Sequence, residues 1–271
     1  MMRAPLKYPG SKWRIAEWIV DHMPEHTIYL EPFFGSGAVL FTKPRSALET
    51  VNDIDGDVVN FFRVCRDHPE ELARLLYYTP YSRAEMAYIQ EDHAGEPLHL
   101  TGNCVEDARR FAVRCWQGPG SKLGQRVGWK HDVKQAEGLT ANQWCTLPER
   151  NAPVAERLRG VQIEQKDALT LIREYKNPQT LIYADPPYLK ELRGGSIYRH
   201  EMGGQDEHER LLQVLVEHPG PVILSGYQSQ MYDEMLKDWN RYDTTARAQS
   251  NAMRTESIWC NFDVQMRLED Y

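Results

Sequence analysis

At 271 residues the chain suits one large α/β domain or a core with a substantial insert, and it can bury a core without disulfide or metal staples. Hydrophobic residues at 41% and charged ones at 26% are ordinary globular values, no apolar run approaches the ~20 residues of a membrane span, and a net charge of −7 argues against indiscriminate adhesion to nucleic acid. The opening Met1-Met2-Arg3-Ala4-Pro5 has no apolar signal core, and the cysteines at 65, 104, 115, 145 and 260 show neither Cys-x-x-Cys nor a Cys/His ligand spacing, so a cytoplasmic protein with reduced thiols and no metal is expected.

In Leu6-Lys7-Tyr8-Pro9-Gly10-Ser11-Lys12 the Pro9-Gly10 turn would present Tyr8 and Lys12 side by side. A helix is predicted from Ser11 to His22, with Ile15, Trp18 and Ile19 on one face. Proline at position 5 breaks the Gly-x-x-x-x-Gly-Lys pattern and excludes a nucleoside triphosphate loop. Thr27 to Leu30 read as the first core strand. Glu31-Pro32-Phe33-Phe34-Gly35-Ser36-Gly37-Ala38 follows, then the apolar run Val39-Leu40-Phe41, read as helical. Strand, glycine turn and helix make a Rossmann-like first unit, although Gly-x-Gly-x-x-Gly is not met. Ala47 to Val51 form a second strand ending in Asn52-Asp53-Ile54-Asp55. An acid there can accept both ribose hydroxyls; Asp53 ranks first, and Asp55 is either its partner or the cap of the next helix.

Residues 57–150 carry no further βα pattern. Helices are predicted over Val58–Val64, Glu70–Tyr78, Arg83–Glu91 and Val105–Trp116, the last capped by Asn103, and the stretch reads as an inserted subdomain. From Arg109 to Lys134 there are seven basic residues (Arg109, Arg110, Arg114, Lys122, Arg126, Lys130, Lys134) and one acid, Asp132. That window is +6 and the remainder of the chain −13, so a phosphate-contacting surface is expected here, with a solvated charged face as the alternative.

The core resumes with a helix from Asn151 and the strand Val161–Gln165. Asp167 follows, a cofactor contact or the cap of helix Ala168–Tyr175. Thr180 to Ala184 form a buried strand that ends in Asp185-Pro186-Pro187-Tyr188. Two prolines donate no backbone hydrogen bonds, so the corner is rich in acceptors and stiff. A carboxylate and a backbone carbonyl can take the two N–H bonds of an exocyclic amine while Tyr188 lies over its ring. The polar loop after Tyr188, with Tyr198 and His200, is expected to close over the corner or touch DNA. A helix over 206–216, a strand from Pro221 to Leu224, a helix carrying Tyr232, and a hairpin of Thr244–Gln249 with Ser257–Val264 complete the chain.

Glu-Pro-Phe-x-Gly-Ser-Gly near the amino terminus, Asp-Pro-Pro-Tyr after a hydrophobic strand and Arg254-Thr255-Glu256-Ser257-Ile258-Trp259 near the end resemble, in that order, the Dam-type (D12 class) adenine-N6 DNA methyltransferases. The resemblance covers nearly the whole chain and is weakest over 70–150. It implies an α/β Rossmann-like methyltransferase sheet with a terminal antiparallel hairpin. Residues 1–56 and 151–271 would bind S-adenosylmethionine, and the mainly helical insert 57–150 would recognise the DNA target. It further implies a cofactor site of Tyr8, Lys12, Glu31, Phe33, Gly35, Gly37, Asp53, Asp167 and Asp185, and a catalytic corner of Asp185, Pro186 and Tyr188. Double-stranded DNA would be met by Arg109, Arg114, Lys122, Arg126, Lys130, Tyr198 and His200, and a cognate restriction endonuclease is a genetic partner to look for. Transfer to an amine of RNA is the alternative. The absence of a Pro-Cys pair argues against attack at a cytosine ring carbon.

Overall fold

The computed structural model describes residues 2–91, 101–121, 126–132, 140–192, 197–202, 204–247 and 253–264. Seven strands lie in one sheet: β1 Ile28–Glu31, β2 Leu48–Asn52, β3 Val161–Glu164, β4 Thr180–Ala184, β5 Val222–Gly226, β6 Asn240–Arg247 and β7 Met253–Cys260. The helices are α1 Ala16–Asp21, α2 Gly56–Asp67, α3 Pro69–Tyr78, α4 Arg83–Glu91, α5 Cys104–Gln117, α6 Thr140–Cys145, α7 Asn151–Leu158, α8 Ala168–Glu174, α9 Gln205–Val216 and α10 Gln230–Met235. No helix among the described residues is long and apolar enough to cross a membrane.

The chain forms two compact units. One comprises Met1–Ser11, Asp55–Arg159 and Ser196–His200; the other comprises Lys12–Ile54, Gly160–Gly195 and Glu201–Tyr271. Compared with an insert over 57–150, the first unit also takes in residues 1–11, α7 and 197–200.

The second unit contains the whole sheet, in the order β3-β2-β1-β4-β5-β7-β6. Strands β1 to β5 run parallel, and β7 pairs antiparallel with both β5 and β6. The expected α/β sheet with a terminal hairpin is present, and its strands 240–247 and 253–260 begin four residues before each predicted one. All five residues of β4 are buried, as are those of β5. This is the continuous apolar pattern of parallel strands covered on both faces. Leu171 and Ile172 of α8, Leu211, Leu212 and Leu215 of α9, and Tyr232 of α10 pack with Ile182, Leu224 and Trp259 into one core.

One expectation fails here. The run after the glycine turn is not a helix: residues 38–42 form successive turns, with Gly37 O accepting from Phe41 N and Val39 O from Lys43 N. The rings of Phe34 and Phe41 fold back over Gly37, 6.1 Å apart, and the chain wraps them instead of extending. Helix α1 is also shorter than predicted, since residues 13–15 are turn.

The first unit is all-helical in its described residues. Phe61 and Phe62 of α2 and Phe111 of α5 meet edge to face at 5.2 and 6.2 Å in its core. Asn103 caps α5, accepting from Val105 N and Glu106 N as the sequence suggests. Trp116 Nε1 donates to the Pro5 carbonyl at 3.2 Å, which ties the amino-terminal segment to α5.

Candidate active site

Strand order reverses between β1 and β4, and in open parallel sheets the crevice for ligands opens at such a reversal, beyond the carboxyl ends of the strands. β1 ends on Glu31, and the glycine turn follows it. β4 is paired with β1, Ile182 opposite Leu30, and runs into Asp185. The two motifs thus share one sheet edge within the second unit.

The end of β2 ties this edge together. Asn52 is buried; its Nδ2 donates to the carbonyls of Pro32 and Lys166, and its Oδ1 accepts from Lys166 N. Asp53 Oδ2 accepts from Gly35 N at 2.8 Å and holds the glycine turn. Gly37 has φ +67, and a Cβ there would lie 2.6 Å from the rings of Phe34 and Phe41, so glycine is required twice over. Phe33 is half-buried against the sheet core.

Glu31 is 2% exposed and accepts from the Tyr29 hydroxyl at 2.8 Å. No cation among the described residues reaches ion-pair distance. Burial pushes its carboxyl up to about 8, the Tyr29 bond opposes this, and the nearby Asp185 charge adds to it. Lys43 acts on it only at longer range, and a buried acid with no cation in contact fits a ligand that brings an ammonium.

At the end of β4, Asp185 Oδ1 is 2.9 Å from Lys12 Nζ. Lys12 also lies 3.9 Å from Glu256 Oε2 and 4.7 Å over the Tyr188 ring. Burial alone would lower Lys12, but Asp185 and Glu256 carry it above its ordinary value, so it stays charged. Burial raises Asp185, and Lys12 offsets part of that rise. Tyr188 is held neutral by burial and by the two acids, and its hydroxyl donates to Glu256 at 2.8 Å. Its ring meets Tyr227 edge to face at 4.5 Å. The Pro187 carbonyl lies 3.1 Å from His208 Nε2, and among the described residues nothing donates to the Pro186 carbonyl.

Glu256, Tyr227 and His208 belong to this corner; the sequence assigned none of them a role, and Glu256 stood only within the closing motif. Pairing of β5 with β7, Gly226 opposite Ser257, brings Glu256 beside Tyr188, 68 positions away, a distance no local pattern records.

A family model described as D12 class N6 adenine-specific DNA methyltransferase matches residues 8–249. The chain belongs to that family. Similar proteins include the Type II methyltransferase M1.LlaDCHI of Lactococcus lactis subsp. cremoris, 26% identical over 96% of both chains. The DNA adenine methylase of Serratia marcescens is 24% identical over 89% of this chain and 87% of its own. The DNA N-6-adenine-methyltransferase of Escherichia phage P1 is 32% identical over 79% of this chain and 28% of its own.

The remaining residues expected to act in this D12 methyltransferase are distributed unevenly. Asp167 caps α8, its Oδ1 accepting from Thr170 N and Oγ1 at 2.8 Å. In the first unit, Tyr8 is buried with its ring 6.0 Å from that of Tyr198, and a Cβ on Gly10 would collide with the Tyr198 hydroxyl. Arg199 binds Asp55 at 2.9 Å and Asp57 at 2.5 Å, and Asp55 caps α2 by accepting from Asp57 N. Arg109 is buried and paired with Glu85 at 2.5 Å and Glu106 at 2.6 Å. Arg114 is buried too, and desolvation lowers its pKa. Arg126 and His200 are exposed and Lys130 half-exposed, while Lys122 lies outside the described residues.

Proposed function

We propose that the protein transfers the methyl group of S-adenosylmethionine to the N6 amine of an adenine turned out of duplex DNA at a specific sequence. The observation that carries this reading is the placement of Glu31, the glycine turn and Asp185 on one sheet edge at the strand-order reversal. When bound, S-adenosylmethionine supplies an electrophilic methyl on a sulfonium with a neutral leaving group, so the protein need supply only alignment and electrostatics.

The residues present fit that cofactor. Glu31, buried with no cation among the described residues at ion-pair distance, suits the methionine ammonium. Gly35 and Gly37, both at positive φ, shape the turn proposed to lie beneath the cofactor, Phe33 offers an apolar face, and Asp53 suits the ribose hydroxyls. Tyr8 and Lys12 complete the proposed set. With Oδ1 of Asp167 committed to Thr170, a contact to the cofactor's adenine would fall to Oδ2.

The amine of adenine is a weak nucleophile because its lone pair is delocalised into the ring. Asp185 accepts one N–H and the Pro186 carbonyl the other, which favours a tetrahedral nitrogen and localises that pair. Lys12, 2.9 Å away, favours the ionised form of Asp185 against the effect of burial. Tyr188 stacks on the base, which must leave the duplex to be reached. Arg126, Lys130, Tyr198 and His200 are proposed to meet DNA, with the first unit as the target-recognition part. The Type II name of the Lactococcus relative supports a search for a cognate restriction endonuclease beside the gene.

Asp185→Ala tests the reading. Methyl uptake into duplex DNA should vanish while S-adenosylmethionine binding is partly kept; near-native turnover would remove the assignment. Uptake into rRNA in place of duplex DNA would reassign the substrate.

A further inference from the structure

His208, on α9, is completely buried. Its Nε2 lies 2.8 Å from the Met202 carbonyl and 3.1 Å from the Pro187 carbonyl, and its Nδ1 lies 2.8 Å from the Tyr232 hydroxyl. Carbonyls only accept, so Nε2 carries the proton. In the neutral ring Nδ1 then accepts from Tyr232. Tyr232 is itself fixed, buried with its ring 5.1 Å from Trp259 and against Gly226, where a Cβ would lie 3.1 Å from it.

Pro187 is the second proline of Asp185-Pro186-Pro187-Tyr188. Neither proline has an N–H, so at these two positions carbonyls are the only polar backbone groups by which the chain can be held. The peptide between Pro186 and Pro187 is planar, the pyrrolidine ring of Pro187 locks its φ, and the next peptide is planar again. One soft torsion therefore separates the Pro186 carbonyl from the Cα of Tyr188: the ψ of Pro187. The single N–H of His208 Nε2, shared between the Met202 and Pro187 oxygens, restrains that torsion.

We infer that His208 is a positioning residue for methyl transfer. It sets the angle between the carbonyl that accepts the amine and the ring that stacks on the base, and it touches neither reactant. The inference rests on the proposed function of Asp185, Pro186 and Tyr188. The effect it predicts lies in kcat, because the bond aligns groups and adds no contact to DNA or cofactor.

His208→Leu removes the donor at similar volume, and His208→Gln keeps an N–H near the Nε2 position. With Asp185→Ala as control, we expect Leu to lower kcat about 100-fold, the scale of a small misplacement of reacting groups. KM for DNA and S-adenosylmethionine binding should stay within about threefold, and Gln should restore kcat to within about tenfold of the native value. Nitrogen NMR of the native protein should show His208 as the Nε2–H tautomer. Native kcat in a folded Leu variant, or a Gln variant as slow as Leu, overturns the inference while an inactive Asp185→Ala leaves the function standing. Turnover in Asp185→Ala overturns both. If Leu does not fold, Tyr232→Phe decides: loss of the Nδ1 partner should lower kcat severalfold at unchanged KM, and a native kcat rejects the role.

Discussion

Lys12 and Asp185 face each other across 2.9 Å at the carboxyl end of β4, and the same ammonium lies 3.9 Å from Glu256 and 4.7 Å over the Tyr188 ring. One positive charge thus serves two acids and an aromatic face in a buried corner. Lys12→Met removes it without removing bulk. Asp185 then loses the charge that offsets part of its burial-driven rise, so its pKa climbs further and the protonated form, a poor acceptor for an amine, is favoured. We expect kcat to fall about 100-fold at pH 7, the scale of losing one aligned electrostatic partner. The residual rate should climb with pH as Asp185 ionises. A pH–rate profile checks this, and a native rate with an unmoved acid limb would refute it.

Gly37 carries a second prediction. Its φ of +67 and the rings of Phe34 and Phe41 both exclude a Cβ, whereas Gly160, φ +79, has nothing within 4 Å. Gly160→Ala should lose about 1 kcal/mol from backbone strain alone. Gly37→Ala should lose about 1–3 kcal/mol more from crowding and weaken cofactor binding. Urea unfolding and cofactor titration of the pair separate strain from steric exclusion; equal losses would mean that the rings move aside freely.

The strands and most helices were legible because parallel strands buried on both faces and capped helices leave local signatures. β4 lies where its five apolar residues put it, and Asp185 stands where the prolines stop the ladder. The turns after Gly37 were misread as a helix because Val39-Leu40-Phe41 is apolar in either conformation. Glu256 was read only as part of the closing motif, because β5–β7 pairing, not sequence proximity, delivers it to the corner. Within the basic window, Arg109 and Arg110 are ion-paired inside the first unit. Glu106 stands three and four residues before Arg109 and Arg110, within reach of both on a helix, and that spacing was the signal that these charges are spent internally.

That distinction makes a third prediction. Arg109→Ala strands Glu85, 21% exposed, and leaves Glu106, 25% exposed, with Arg110 alone. The loss should be about 2 kcal/mol, below the 3–5 kcal/mol of a fully buried pair, with no change in the salt dependence of DNA binding. Arg126→Ala and Lys130→Ala should leave stability untouched and each lower the salt slope of DNA binding by about one. Thermal melts and binding isotherms at several salt concentrations test this, and a slope that falls in Arg109→Ala would contradict the assignment.

Glu31 supplies the last prediction. Its carboxyl is pushed up to about 8 from an ordinary 4.5, so at pH 7 the folded, ligand-free protein holds a proton that the unfolded chain does not. Between those two values the folded state binds more protons, and stability must fall as pH rises through the window, levelling off above 8. Glu31→Gln should flatten that slope. A ligand ammonium placed against Glu31 favours the carboxylate and expels the proton. Binding of S-adenosylmethionine at pH 7 should therefore release about 0.9 proton, declining toward zero at pH 9. Calorimetry in buffers of different ionisation enthalpy measures that release. If it persists in Glu31→Gln, another group is responsible and the ammonium does not sit at Glu31.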